Sequence, residues 1–335
     1  DGLPRTFDEF FALCDYMTIN GVMPFTWAGA HDYPTSALAE LWADFEGKDQ
    51  FYLNFSMDGT ATTLIDTMGA DGKPTKMMPA TEINGDNAYL LQRQQGKYVT
   101  LEFAKKIAEN EAYYTTESYS PGESNIMSQY TYLASRVMSG RTPIAFFFEG
   151  VWWENEATPT FTDLETQRGE KKESRRFGFL PMPKVNASLA GPQTMLSANR
   201  SFGFINKNAQ NMELAKEFMR FLHTDAEMSK FNAKTSISRS LKYEVTSEDA
   251  KTATYFGKEL IKMRKQANVV YPYSSLQMVI NNSAAFTESA WFMNSSVEGV
   301  TLNNPFDAFK NGTADAKEYF NGLYTYQKLM WSSLK

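Results

Sequence analysis

The chain has 335 residues, of which 42% are hydrophobic and 21% charged, an ordinary balance for a globular protein large enough to form two lobes. Its formal net charge of −6 argues against nucleic-acid binding, which requires a basic surface. A single cysteine excludes an internal disulfide, two histidines argue against a structural zinc site, and the longest apolar run is too short to span a bilayer.

The N-terminal part of the chain predicts two helices around a short strand. Thr6 and Glu9 are spaced as a capping box, and Gly21 follows the apolar face of the helix that they start. The segment VMPFTW (22–27) predicts a strand, and AGAHDYP (28–34) predicts a loop. A helix with a buried face follows the loop, and this face is formed by Leu38, Leu41, Trp42 and Phe45.

Strands and helices are mixed in the rest of the chain, and helices dominate its second half. Three segments rich in bulky apolar residues predict strands: TPIAFFFEG (142–150), RRFGFLPMP (175–183) and SFGFINKN (201–208). Helical spacing of apolar residues predicts helices at 86–110, 123–138, 211–224, 247–267, 274–293 and 313–334. This mixture predicts an α/β fold.

Aromatic residues make up 14% of the chain, and several lie beside polar groups. A sugar ring has an apolar C–H face, on which tryptophan can stack, and a rim of hydroxyl groups, which require hydrogen-bond partners when buried. Trp42 is expected in the core because it shares a helix face with Leu38. His31 lies in a loop between aromatic segments and could contact a ligand. The candidates for stacking are Trp27, Tyr33, Trp152, Trp153 and Trp291.

Catalysis has weaker support in the sequence. The chain lacks the Gly-x-Ser-x-Gly motif of a nucleophile elbow and the glycine-rich phosphate-binding motifs, so no cofactor is expected. Acidic residues are plentiful, and Glu149, Glu154 and Glu156 flank the paired tryptophans. A glycoside hydrolase needs two carboxylates that face one glycosidic bond. Such an enzyme, or a fragment of one, is the alternative to a protein that only binds sugar.

Five segments carry a resemblance to a known family. LPRTFDEFFALCDYMTINGVMPFTW resembles a helix and strand of that family, and MSGRTPIAFFFEGVWW resembles a strand that ends before a tryptophan. RRFGFLPMPKV, SFGFINKNAQNMELAKEFMRFLHTDAEMSKF and NPFDAFKNGTADAKEYF match later strands and helices. In this order, from Leu3 almost to the end, the segments resemble the extracellular solute-binding proteins of bacterial carbohydrate ABC importers, the maltose-binding-protein type.

The resemblance implies an α/β periplasmic-binding-protein fold of type II that lacks the upstream part of its first lobe. Residues 1–201 and 246–335 would form the C-terminal lobe, and residues 202–245 would return to the N-terminal lobe. The protein would not be an enzyme. Its lobes would close on a saccharide, in particular an oligosaccharide, by a hinge motion.

The resemblance also implies a location and partners. The protein would act outside the cytoplasmic membrane, in the periplasm or as a lipoprotein on the surface of a Gram-positive bacterium. It would deliver its sugar to the permease subunits of an ABC importer.

Individual residues match ligand contacts of that family. Asp32 and Tyr33 match its acid and stacking aromatic after the first strand, and Trp152 matches its main stacking tryptophan. The weaker matches lie near the same loops or near the crossings between lobes, and they are Trp153, Glu154, Trp291, Arg200 and Asn199.

The adjacent tryptophans of FFFEGVWWENEA (146–157) are predicted to diverge. Gly150 breaks the strand, and in open α/β sheets ligands lie beyond the carboxyl ends of strands. By resemblance, Trp152 is the sugar platform, and Trp153 fills the core or makes a secondary contact.

Overall fold

The computed structural model describes residues 2–28, 32–120, 122–197, 203–239, 241–287 and 290–335. The chain divides into two compact units. Unit 1 comprises Asp1–Glu149, Pro181–Leu196 and Asn268–Lys335, and unit 2 comprises Gly150–Leu180 and Ser197–Ala267. The sequence predicts two lobes whose boundaries differ from those of these two units. That division into lobes remains a prediction.

The structure is a mixture of helices and short strands. In chain order the α-helices are α1 (Phe7–Ile19), α2 (Asp32–Ser56), α3 (Gln95–Ala108), α4 (Asn125–Ala134), α5 (Trp153–Glu156), α6 (Thr158–Arg168), α7 (Met212–Leu222), α8 (Asp225–Thr235), α9 (Ser247–Thr252), α10 (Tyr255–Gln266), α11 (Gln277–Asn281), α12 (Pro305–Lys310) and α13 (Ala316–Leu334). The strands are β1 (Met23–Trp27), β2 (Gly59–Ala61), β3 (Ile65–Met68), β4 (Pro74–Met77), β5 (Thr81–Ile83), β6 (Ile144–Phe148), β7 (Thr194–Leu196), β8 (Asn268–Val270), β9 (Ser295–Val297) and β10 (Val300–Leu302).

The strands pair two by two. The pairs β1–β6 and β7–β8 are parallel, whereas β2–β5, β3–β4 and β9–β10 are antiparallel. Within the described ranges none of these pairs extends into a closed barrel. No helix among the described residues combines the length and apolar character that a membrane crossing requires. The predicted α/β class is therefore confirmed at the level of a mixed α/β fold.

The start of the chain folds as its local signals predict. The Thr6 hydroxyl accepts the Glu9 N–H, and the Glu9 carboxylate accepts the N–H groups of Thr6 and Arg5, which closes the predicted capping box. The helix α1 buries Phe10, Phe11 and Cys14. The predicted strands at 22–27 and 142–150 are confirmed as β1 and β6.

The pair β1–β6 positions the candidate residues of unit 1. Phe25 lies opposite Phe146, and Trp27 lies opposite Phe148. The Phe25 ring stacks on the rings of Phe146 and Phe148, at centroid distances of 5.7 and 5.3 Å. Because the strands are parallel, their carboxyl ends lie at the same edge of the sheet.

Two predicted strands and one predicted helix are wrong. Residues 175–183 contain no strand: Pro181 and Pro183 have no N–H to donate, and the Phe179 N–H bonds to the Glu259 carboxylate (2.8 Å) instead of to a neighbouring strand. Residues 203–208, the described part of 201–208, pair with no strand. The predicted helix at 274–293 shortens to α11 and a 3-10 turn, Ser283–Phe286.

Candidate functional site

Trp27 ends β1 inside a cluster of aromatic rings. Its ring centroid lies 5.3 Å from that of Tyr114, 5.6 Å from Tyr119 and 5.8 Å from Phe306, and its side chain is 0% exposed. The prediction that Trp27 contacts a ligand finds no support in this placement, because the surrounding rings cover the indole.

A buried network of hydroxyl groups holds the carboxyl end of β1. The Ser118 hydroxyl accepts the Trp27 N–H (3.2 Å), and the Ser128 hydroxyl donates to the Trp27 carbonyl (3.0 Å). Thr26 and Thr115 share a hydrogen bond of 2.9 Å. These partners lie about 90 to 100 positions along the chain, so no local pattern in the sequence indicates them. The network fixes the point at which the chain leaves β1.

Three predicted contacts follow β1. His31 lies outside the described residues. Asp32 begins α2, and its side chain is also outside the described part of the structure. Tyr33 lies in the first turn of α2 and is partly exposed. The contact of Asp32 and Tyr33 with a sugar ligand therefore remains a prediction.

The chain leaves β6 at Glu149 and enters unit 2 at Gly150. A Cβ atom placed on Gly150 would lie 2.3 to 2.4 Å from three ring atoms of Trp152. The indole of Trp152 therefore lies directly on the Gly150 backbone, and only glycine permits this approach. Trp152 remains partly exposed.

Trp153 turns into the interior of unit 2. It is 6% exposed, and its ring packs edge-on against Phe177 at 5.0 Å, with Phe256 and Phe161 at 6.2 and 6.3 Å. The prediction that the adjacent tryptophans diverge is confirmed by burial: one lies in the core, and the other retains exposed surface.

Glu154 is a buried acid with internal partners. One carboxylate oxygen accepts the Thr254 hydroxyl at 2.6 Å, and the other lies 3.6 Å from the Lys172 ammonium. Lys172 also donates to the Glu154 carbonyl (3.3 Å). Thr254 caps the start of α10, so this acid ties α5 to that helix. The predicted contact between Glu154 and a ligand finds no support in this placement, because internal groups occupy its carboxylate.

Trp291 belongs to a cage of rings around a buried lysine in unit 1. The Lys97 ammonium lies 4.1 Å from the Trp42 ring centroid, 4.8 Å from that of Trp291 and 5.7 Å from that of Phe292. Both Lys97 and Trp291 are at most 1% exposed. Such cation–π contacts, together with a hydrogen bond from Lys97 to Gln92 (2.5 Å), offset part of the cost of burying the charge. Trp291 is therefore a structural residue of this cage. Its placement does not support the predicted contact with a ligand.

Glu46 is the acidic residue whose negative charge favours the protonated form of Lys97. Its carboxylate accepts the Gly96 N–H (2.7 Å) and the Thr63 hydroxyl (2.6 Å). Burial raises the pKa of Glu46 to about 7, and it holds the pKa of Lys97 well below its ordinary value. The sequence analysis missed this pair, because a lysine within a helical pattern ordinarily indicates a solvated face.

The structure thus separates the predicted site residues. Trp152, Trp153 and Glu154 lie together at the start of α5, while Trp27 and Trp291 lie in two different aromatic clusters of unit 1. Arg200 and Asn199 lie outside the described residues. Among the described residues no group of histidine, cysteine and acidic side chains could hold a metal ion.

Two solved structures are similar to this chain, one of them with a TM-score above 0.5. A chitin oligosaccharide binding protein matches with a TM-score of 0.53 and 14% identity, over 99% of this chain and 66% of that one. A sugar transporter from Bacillus licheniformis, solved in complex with stachyose, matches with a TM-score of 0.47 and 14% identity, over 97% of this chain and 67% of that one. No protein-family model and no curated protein matches the sequence.

The first of these structures supports a statement about the fold alone. This chain spans less than two thirds of the length of the chitin oligosaccharide binding protein. The name of that protein describes a binding protein. The chain is therefore similar in fold to a sugar-binding protein.

Proposed function

We propose that this chain binds a saccharide and is not an enzyme, and that its fold is the type II periplasmic-binding-protein fold. The fold likeness to a chitin oligosaccharide binding protein supports the class of ligand. The five segments that resemble solute-binding proteins of carbohydrate importers support it independently.

The placement of the paired tryptophans carries the proposal. Trp153 is anchored among Phe161, Phe177 and Phe256, whereas Trp152 lies on Gly150 and is partly exposed. A flat indole that is held against the backbone loses little freedom when a sugar ring stacks on it, so less of the contact energy is spent on ordering. Trp152 is the proposed stacking platform.

The proposed ligand is an oligosaccharide, and the proposed partners are the permease subunits of an ABC importer. The protein would then lie outside the cytoplasmic membrane, either in the periplasm or attached to the surface of a Gram-positive cell by a lipid. The sequence resemblance supports these points. The predicted contacts Asp32, Tyr33 and Arg200 belong to the same proposal.

The test is a thermal-shift screen of the 335-residue chain against chito-, malto- and galacto-oligosaccharides, followed by titration calorimetry on any sugar that responds. We expect a raised melting temperature and a dissociation constant from micromolar to millimolar, about 8 to 4 kcal/mol of binding free energy. Chromatography of the sugar after incubation should show no cleavage. Hydrolysis would support the glycoside hydrolase instead, and no response to any sugar would contradict the proposal.

A matched pair of variants locates the binding surface. Trp152→Ala should abolish the response, while Tyr16→Ala, which removes an aromatic side chain that is 64% exposed on α1, should retain it. If both variants respond like the unaltered chain, Trp152 is not the platform.

A further inference from the structure

Helix α5 carries the proposed platform at its N-terminal end, but it is only one turn long. It has 4 residues, and an isolated helix of that length is not stable in water. Trp152 is joined to this turn through its backbone, because its carbonyl accepts the N–H groups of Asn155 and Glu156, both at 3.0 Å. The orientation of Trp152 therefore depends on the contacts that hold α5 within unit 2.

Two contacts of different kinds hold α5. The first is the ring of Trp153, which packs among phenylalanine rings of unit 2. The second is the carboxylate of Glu154, which accepts the Thr254 hydroxyl at 2.6 Å and lies 3.6 Å from the Lys172 ammonium. Apolar packing is non-directional, whereas a hydrogen bond requires a particular distance and angle. Trp153 therefore keeps α5 against the core, and Glu154 fixes its rotation.

Lys172 and Thr254 connect Glu154 to the neighbouring helices. Lys172 also donates to the Glu154 carbonyl at 3.3 Å, and its ammonium lies 4.8 Å from the ring centroid of Phe161 on α6. Thr254 accepts the Gly257 N–H at 3.1 Å and thereby caps α10. The Glu154 side chain is buried, and a buried acid that loses a partner regains hydrogen bonds only by turning towards water. The loss of either partner should therefore rotate α5.

The geometry points to Glu154, Lys172 and Thr254 as positioning residues, which hold the Trp152 indole in the orientation that a sugar ring needs. Trp152 has helical backbone angles (φ −84°, ψ −9°), and it lies two positions before Glu154, which is about 200° around a helix of roughly 3.6 residues per turn. A rotation of α5 that turns Glu154 towards water therefore turns Trp152 away from it. The inference rests on the proposed function, since it concerns the same platform.

Fluorine NMR of the full chain, labelled with 5-fluorotryptophan, tests this role without any sugar. The chain has 6 tryptophans, and the Trp152 resonance is the one that Trp152→Phe removes. Thr254→Val removes the hydroxyl that bonds to Glu154, and Lys172→Met removes the ammonium but keeps an apolar stem. Both variants should shift or broaden the Trp152 resonance, because the indole leaves its position on Gly150. Circular dichroism checks that each variant is folded.

Thr246→Val is the matched control, because Thr246 also caps a helix of unit 2 and donates to a carboxylate. Its hydroxyl accepts the Asp249 N–H at 3.1 Å and donates to the Asp249 carboxylate at 2.9 Å. This variant loses the same two kinds of hydrogen bond on α9, so it should leave the Trp152 resonance unchanged. Thr254→Ser keeps the hydroxyl and should give the resonance of the unaltered chain.

Titration calorimetry with the chito-, malto- and galacto-oligosaccharides measures the consequence for binding. Thr254→Val should raise the dissociation constant about tenfold, equivalent to about 1.4 kcal/mol, while Thr246→Val and Thr254→Ser should leave it unchanged. An unchanged Trp152 resonance in both Thr254→Val and Lys172→Met overturns the inference, as does an equal change in Thr246→Val or a shifted resonance with unchanged affinity. A chain that binds none of these sugars contradicts the proposed function, whereas the fluorine spectra still decide whether the three residues orient Trp152.

Discussion

The core of unit 1 and helix α7 of unit 2 differ in how far their large apolar side chains are buried. Unit 1 covers its rings so fully that it encloses the ionisable side chain of Lys97 among them, and it also buries Glu46. Unit 2 contains α7, an amphipathic helix without a buried residue. The helices α13 and α7 were both predicted from the same apolar spacing, yet only α13 buries its apolar face, which includes Phe320 and Leu323. The spacing of apolar residues indicates that a face will be covered, but it does not identify what covers it.

The largest expected effect comes from removing one ring in each region. Phe320 is fully buried, and its ring lies 5.4 Å from Tyr98 and 5.2 Å from the Arg93 guanidinium. Phe320→Ala should lower the free energy of unfolding by about 3–5 kcal/mol, because it removes apolar contacts and leaves a cavity. Phe218→Ala should change it by less than about 0.5 kcal/mol.

Urea unfolding of the two variants and of the unaltered chain measures both values. Equal costs for Phe320→Ala and Phe218→Ala would break the comparison, because they would show that α7 is covered within the single chain.

The second prediction concerns how the free energy of unfolding depends on pH through the buried Glu46. Burial raises the pKa of Glu46 from 4.5 to about 7, so the folded chain binds this proton more tightly than the unfolded chain does. The resulting stabilisation is present below about pH 4.5 and is lost as the pH rises through about 7. Glu46→Gln should remove this loss, since the glutamine amide oxygen can accept the Gly96 N–H and its amide nitrogen can donate to the Thr63 hydroxyl oxygen.

The measurement is the free energy of unfolding of both proteins from pH 5 to 8. Relative to Glu46→Gln, the unaltered chain should lose about 2–3 kcal/mol over this range. Parallel pH profiles would show that Glu46 is not enclosed as the structure has it.

Local signals in the sequence predicted local structure well. The capping box of α1 needs only Thr6 and Glu9, and α7 needs only the spacing of its own apolar residues. Features that depend on distant residues were missed. The hydroxyl network around Trp27 joins positions about 90 apart or more, and residues 175–183 form no strand because a strand also requires a partner.

In the candidate site, too, local features could be predicted and features that depend on distant residues could not. The divergence of Trp152 and Trp153 could be predicted, because neighbouring side chains at a strand end point in different directions. The burial of Trp27 and Trp291 could not, because it depends on rings contributed by other elements. Aromatic composition alone does not distinguish a stacking platform from a core.

A smaller effect is expected where the chain enters unit 2. Gly150→Ala places a methyl group against the Trp152 indole, so the ring must shift. The cost should be about 1–2 kcal/mol, as for moderate overpacking, and any sugar that binds on Trp152 should bind more weakly. Gly85→Ala is the control, because a Cβ atom at Gly85 meets nothing within 4 Å. Equal melting temperatures for the two variants would show that Trp152 does not rest on Gly150.

At Trp152 itself we expect a smaller change in stability than at Gly150. Trp152→Ala removes a partly exposed ring that rests on Gly150, so it should lower the free energy of unfolding by less than about 1 kcal/mol, while it abolishes the response to sugar. Its neighbour should behave in the opposite way. Trp153→Ala opens a cavity beside Phe177 and should cost about 3–5 kcal/mol, with sugar binding retained in the fraction that stays folded. Chemical unfolding and calorimetry on both variants give this pair of values. If Trp152→Ala unfolds the chain while Trp153→Ala abolishes binding, the residue that resembles the family's stacking tryptophan is Trp153. If binding survives both variants, the paired tryptophans are structural, and the exposed part of Trp152 belongs with the uncovered apolar groups of unit 2, as Phe218 does.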